Sequence, residues 1–213
     1  MAQPTPSSLQ RRASSPGWLA FIAAALAVSA TAYLATRLIS PDINASLFGA
    51  RAASALTLKS WLANGVLALA ALQLYSALWI YGRMPWRQPQ WLARAHRISG
   101  RAAIVLSLPI AYHCLFAYGF RALDARTAMH SIAGCLLYGA FAAKLVAVRS
   151  RRLPAWALPL TGAAIATTIA LLWYSSALWY FNGFDAPGLT PSVTTGSTKH
   201  IAYPHGGTVR HGY

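Results

Sequence analysis

Five apolar stretches, at about residues 18–38, 61–82, 101–120, 128–148 and 155–181, constrain this chain more than any other feature. A helix needs about 20 residues to cross the hydrocarbon of a bilayer, and each stretch is long enough. In lipid, every backbone N–H and C=O has to find its partner inside the protein, and no strand-like alternation runs through the sequence. The expected fold class is therefore all-α, an integral membrane helical bundle with five transmembrane helices. Pro109 interrupts the third stretch, which membrane helices tolerate when neighbouring groups re-satisfy the backbone. The fifth ends in Trp173, Tyr174, Trp179, Tyr180 and Phe181, the aromatic composition of a membrane–water interface.

Charge supports the same reading. The chain is 56% hydrophobic and only 10% charged, where a soluble domain carries about a quarter charged residues. Glutamate is absent and the acids are Asp42, Asp124 and Asp185, so the formal net charge is +15. A nucleic-acid reader shares such a charge but not this hydropathy. No nucleic-acid partner is expected, and the basic side chains are expected to face the lipid bilayer.

The basic residues also set an orientation. Arg11 and Arg12 precede the first span, Arg83, Arg87, Arg94, Arg97 and Arg101 lie between the second and third, and Arg149, Arg151 and Arg152 between the fourth and fifth. The alternate loops hold fewer: Arg51 and Lys59 in one, Arg121 and Arg126 in the other, partly offset by Asp42 and Asp124. This bias puts the N-terminus in the cytoplasm and the C-terminus outside, in a multi-pass protein of the bacterial cytoplasmic (inner) membrane. Residues 1–16, rich in Ser, Pro and Gln, read as a disordered cytoplasmic tail; 17–181 form the transmembrane domain; 182–213 form an extracytoplasmic tail. Arg11-Arg12 and the run ending in "AVSATA" resemble a secretory signal, but the run is long for one and reads as an uncleaved anchor.

Two histidines stand inside this oily sequence. Spans three and four form a helical hairpin about the hinge "RALDART", and His113 and His130 each lie eight to nine residues from its centre. Equal offsets from a turn put both at one depth, in the outward half of the membrane. Ionisable side chains at such depth are costly and mark function by default. Two neutral imidazoles on facing helices offer the two axial nitrogens that a six-coordinate haem iron takes. Gly134, one turn from His130, would leave room for a flat macrocycle, and Gly119 could do likewise. The competing reading is two histidines that hydrogen-bond carbonyls or hydroxyls such as those of Ser131 or Tyr112 as interhelical glue. A zinc site lacks third and fourth ligands at that depth. Cys114 follows His113 directly and points to another face; Cys114 and Cys135 read as small apolar thiols.

A third histidine, His96, sits with Arg97 and Arg101 just before span three. It is 17 residues from His113, about 25 Å along a helix, and cannot share its haem. Lys144 lies on roughly the His130 face of span four, toward the cytoplasmic end. These four residues are candidates for a quinone or second site, against lipid contact and snorkelling. His200, His205 and His211 lie in the outer tail.

The segments "HRISGRAAIVLSLPIAYHC" and "HSIAGCLLYGAFAAK" resemble the haem-bearing helices of cytochrome b561-like and ferric-reductase-like membrane proteins, and more narrowly a group of small bacterial membrane proteins sharing the HRxxGR, YHC and HSxxG elements. The likeness covers about residues 60–181. It implies a four-helix haem-binding core, here spans two to five, with one haem b whose iron is held by His113 and His130. Classical two-haem members need four membrane histidines, which this chain does not have, and no flavin or nicotinamide domain is present. The function expected on this basis is that of a membrane-anchored b-type cytochrome, an electron-transfer protein or subunit. It would exchange electrons with a quinol, with other redox subunits or with an extracytoplasmic cytochrome c-type partner. Arg121 and Arg126, in the hinge, are candidates to pair with haem propionates, against solvated loop arginines. The alternative is a haem-free structural or accessory subunit of a larger membrane complex.

Overall fold

The computed structural model describes residues 16–150 and 153–185. Five helices long and apolar enough to cross a membrane make up about three quarters of these residues. We number them α1 (Pro16–Leu38), α2 (Ala52–Ile80), α3 (Leu92–His113), α4 (Ala125–Arg149) and α5 (Ala157–Trp173). Two of them change pitch at their C-terminal ends. α3 runs on as a π-helical turn, Cys114–Tyr118, and α5 as a second, Tyr174–Leu178, followed by a last helical turn, Trp179–Phe181. The all-helical membrane class expected from the sequence is the one observed. The expected tails lie outside the described residues except for Pro16 and Asn182–Asp185, as do Arg151 and Arg152.

The bundle is packed inside out, as lipid solvation requires. Its buried apolar side chains are mostly alanine, among them Ala55, Ala70, Ala103, Ala117, Ala133, Ala143 and Ala177, while large residues such as Leu26, Leu34, Leu74, Val105, Leu108 and Leu136 face outward. Lipid competes for leucine as well as a neighbouring helix does, so close approach through small residues holds such helices together. A compact apolar cluster of Val66, Ala70, Leu137 and Ile169 joins α2, α4 and α5.

The neighbours are α1 with α4, α2 with α3, α4 with α5, and α2 with α5. Consecutive helices α3 and α4 are absent from that set of close pairs. The sequence reading made them facing partners of a hairpin; they share a turn but diverge from it. What lies between them is space, described below. Nor is α1 a detached anchor, because it lies along α4, where Gly139 meets Ser29 and the Ala25 carbonyl.

Two helix starts differ most from expectation, both because charged residues ended an apolar window without ending a helix. α2 begins at Ala52 rather than near 61, and this draws Lys59 out of its expected loop into a helix. α3 begins at Leu92, so His96, Arg97 and Arg101 lie within it rather than before it. Pro109 is carried inside α3 without breaking it. Long basic side chains can reach the headgroups from helical positions, so the helix continues through the interface.

The turn between α3 and α4 ends in a capping box. The Asp124 side chain accepts from Thr127 N at 2.8 Å, and Thr127 Oγ1 accepts from Asp124 N at 3.2 Å. The α1–α2 connection is a folded cap over the same end of the bundle. Asp42 N donates to Phe116 O at 2.8 Å, and Leu47 and Ala50 exchange two backbone bonds, at 2.8 and 3.0 Å.

Candidate functional site

The space between α3 and α4 is an apolar cavity of about 350 Å³, at the small end of the roughly 300–1,000 Å³ typical of ligand sites. α3 and its π-helical turn supply Ser107, Ile110 and Cys114; α4 supplies His130, Gly134, Cys135 and Tyr138; α5 closes the back with Leu172 and Trp173. Ser107 Oγ and Tyr138 OH, 3.2 Å apart, bridge the two helices along one wall. Trp173 is fixed by a hydrogen bond from its indole nitrogen to Asn64 Oδ1, at 2.6 Å.

His130 is the imidazole on this cavity, and Ser175 is its hydrogen-bond partner. Its Nδ1 lies 2.9 Å from Ser175 Oγ. The Ser175 hydroxyl has one proton, and Leu171 O accepts it at 2.7 Å in one arrangement. In that arrangement the oxygen accepts from His130, Nδ1 carries the hydrogen, and Nε2 keeps a bare lone pair. A ligating histidine is commonly held in this way, by a hydrogen bond from its other nitrogen. Ser175 lies fully buried in the second π-helical turn. π-Helical turns often mark functional sites because they displace carbonyls from the regular ladder. Arg126 Nη1 donates to one of these, Ser175 O, at 2.9 Å, and its guanidinium stacks 4.0 Å from the Trp179 ring centre.

His113 is elsewhere. It is almost fully buried, at 1% exposure, and lines a separate cavity of about 180 Å³ beneath the α1–α2 connection. Its Nε2 lies 3.2 Å from Ala45 O, which can only accept, so Nε2 carries the proton. Its Nδ1 is buried with no hydrogen-bond partner. Cys114, one residue on, faces the large cavity. Of the two histidines expected to share an iron, the fold thus brings one to the α3–α4 gap and turns the other to the far side of α3. Their expected depth is a property of the turn; their facing is a property of helix rotation, which the sequence offsets left open.

The other expected residues fall as follows. Gly134 lines the large cavity, and a methyl there would meet Leu172 Cδ2 at 3.9 Å, so the missing side chain adds room. Gly119 has φ +61, and a Cβ would come within 2.8 Å of Pro41, so it serves the turn as well as the cavity. Arg121 is committed to the turn through Nε to Tyr118 O at 3.2 Å. At the opposite end of the bundle, His96 repeats the His130 arrangement. Its Nδ1 lies 2.7 Å from Ser76 Oγ, and Ser76 donates to Leu72 O at 2.7 Å. Gln73 Nε2 adds a bond to Ser99 Oγ at 2.7 Å. Lys144, half-buried in α4, lies within electrostatic range of His96, whereas Arg97 and Arg101 are exposed.

Several participants carried no sequence signal of their own. Ser175 and Ser76 sit in apolar text with no motif around them. Lys59, 7% exposed, holds its ammonium 4.5 Å over the Tyr118 ring, which in turn meets the His113 ring edge-on at 5.6 Å. Among the described residues, no group of three His, Cys, Asp or Glu side chains gathers as a site for a bare metal ion. A planar cofactor that brings four of its own donors asks for fewer.

Fold and site together define a multi-pass helical membrane protein with an apolar interhelical cavity served by one oriented imidazole. The chain belongs to a family of unknown function, DUF6529, which matches it over residues 18–188. No curated protein and no solved structure matches it.

Proposed function

We propose that the protein is a b-type cytochrome of the bacterial cytoplasmic membrane, with one haem in the cavity between α3 and α4 and His130 as its axial ligand. The observation that carries this reading is the His130 ring on an apolar cavity with its Nδ1 2.9 Å from Ser175 Oγ, an arrangement that leaves Nε2 to a ligand when the serine oxygen accepts. The donor chemistry fits a haem on this side: a neutral imidazole held by Ser175, apolar walls and the missing side chain of Gly134. The opposite face offers no second histidine, because the His113 ring lies across α3. A six-coordinate, bis-histidine site therefore requires α3 to turn about its axis and His113 to leave Ala45 O.

Bound haem supplies one-electron iron chemistry. His130 holds and orients, and Ser175 keeps its lone pair available. The apolar walls exclude water, and the cations that propionates require would come from Arg126 at the start of α4 and Arg121 in the turn before it. With the arginine bias setting orientation, this end of the bundle faces outward and the α1 N-terminus faces the cytoplasm. Electrons then pass to or from an extracytoplasmic partner of the cytochrome c type, another redox subunit, or quinol in the bilayer. The second serine-held imidazole, His96, with Lys144 near it, is the acceptor we assign to a quinol hydroxyl at the cytoplasmic end.

The test is a reduced-minus-oxidised spectrum of purified protein with a haem count per chain. One haem is expected, lost in His130→Ala and kept in His96→Ala. Loss in His113→Ala as well assigns the second axial position to a turned α3. A colourless protein, or full haem in His130→Ala, overturns the assignment and leaves the accessory-subunit reading.

A further inference from the structure

Cys114 stands at the cavity wall that His113 leaves. The sequence reading took it for a small apolar thiol. Consecutive helical residues point about 100° apart, so the rotation that turns His113 across α3 brings Cys114 round to the α4 side. It is a free, half-buried thiol among the residues that line the large cavity. Its sulfur lies within electrostatic range of the Tyr138 hydroxyl, which belongs to the α4 wall of the same space. The π-helical turn of α3 begins at Cys114, and Ser175, the partner of His130, lies in the other. Both flanks of the cavity therefore take their polar groups from turns of altered pitch, which often mark functional sites.

Cys114 is also nearly level with His130. The Ser107–Tyr138 contact, at 3.2 Å, fixes the register of α3 against α4. From that contact toward the turn, Cys114 is seven residues along α3 and His130 eight residues along α4. These are about 10 and 12 Å of helix, so the thiol and the imidazole stand on opposite walls near one depth. The other polar groups of the α3 wall are engaged or turned outward. Ser107 donates to Ile104 O at 2.8 Å and meets Tyr138. Tyr112 is 54% exposed and lies against Phe116, with ring centres 4.5 Å apart. His113 is held at Ala45 O on the far side of the helix.

A sulfur donor suits this place. A ferric porphyrin carries a net positive charge, which a thiolate cancels and an imidazole leaves standing, and an uncompensated charge between apolar walls is costly. The cations within electrostatic range of His130 are Lys59 and Arg126, and basic neighbours favour an anionic ligand over a neutral one. Cysteine thiolate is a soft donor and one of the axial ligands that haem iron takes. Resting on the cytochrome reading, we propose that Cys114 is the second axial ligand, opposite His130, so that the haem is six-coordinate with one nitrogen and one sulfur donor. The thiol proton is released when the iron–sulfur bond forms. α3 then keeps the rotation it has and His113 stays at Ala45 O, whereas a bis-histidine site requires both to change.

The experiment uses full-length protein purified with its haem and placed in nanodiscs, read by absorption and by electron paramagnetic resonance of the ferric state. Wild type is expected to give the narrow low-spin resonance of a thiolate-ligated haem. Cys114→Ala is expected to keep the haem on His130 but to lose that resonance and turn high-spin. Cys114→His is expected to return a low-spin signal of the broader, two-imidazole kind. Cys135→Ala removes the other cysteine of the chain, which lines the same cavity from the His130 helix, and is expected to keep the thiolate resonance. The wild-type signal carries the test by itself if Cys114→Ala fails to fold. A two-imidazole or high-spin wild type, or a thiolate resonance that survives Cys114→Ala, overturns the proposal and leaves the haem at His130 in place. A colourless protein overturns the cytochrome reading, and this ligand with it.

Discussion

Ser175 and His130 show how one hydrogen decides what a side chain can do. Where the serine proton goes back to Leu171 O, its oxygen is left to take the imidazole hydrogen. Ser175→Ala removes that acceptor from a buried N–H, an unmade bond that costs about 1–3 kcal/mol. It also frees the ring to turn. We expect haem affinity to fall by about 10- to 100-fold, the usual effect of losing such a support, measured by haem transfer to an apo-acceptor. Haem retained at full affinity in that variant would mean that Ser175 does not set the ligand. The same arithmetic separates His113 from His130: a carbonyl consumes the useful nitrogen of one, a back-bonded serine preserves that of the other. The histidines themselves were legible in the sequence because imidazoles are rare in apolar runs. Their partners were not, since a serine in a membrane helix reads the same whether it faces lipid, a carbonyl or a ring.

Helix ends and contacts carry the next level. Asp124 closes a capping box at the start of α4, and the turn before it fixes where α4 leaves α3. Asp124→Ala is expected to cost about 1 kcal/mol, read as a lower unfolding midpoint in detergent titrations. Gly139 is where α1 reaches α4, and a Cβ there would stand 2.6 Å from Ala25 O. Gly139→Leu should push α1 off and destabilise the bundle by about 1–3 kcal/mol, with new protease cleavage in the α1–α2 connection as the visible sign. Unchanged midpoint and cleavage would show that α1 is not held there. The two π-helical turns both lie at the end that carries His113, His130 and Ser175. Hydropathy predicted that these segments are helical and said nothing of their pitch, because the mean hydropathy of a stretch is the same whatever the helix pitch.

At the scale of the whole molecule, an odd number of helices able to cross a membrane, read with the arginine bias, leads us to expect the two chain ends on opposite sides, the N-terminus inside. Reporters fused to the N- and C-termini should therefore score as cytoplasmic and extracytoplasmic respectively; two ends on the same side would remove one crossing. The membrane class, the number of spans and the α3–α4 turn follow from the sequence alone. Burying backbone in hydrocarbon leaves a chain of this composition few alternatives, and the cost is local to each segment. Which helices touch was decided only in three dimensions. Lipid competes equally for every apolar face, so small residues and a few hydrogen bonds select the neighbours. That selection separated α3 from α4 and opened the cavity at His130. It also rotated His113 away from that cavity into a pocket of its own, and it buried Lys59 against Tyr118.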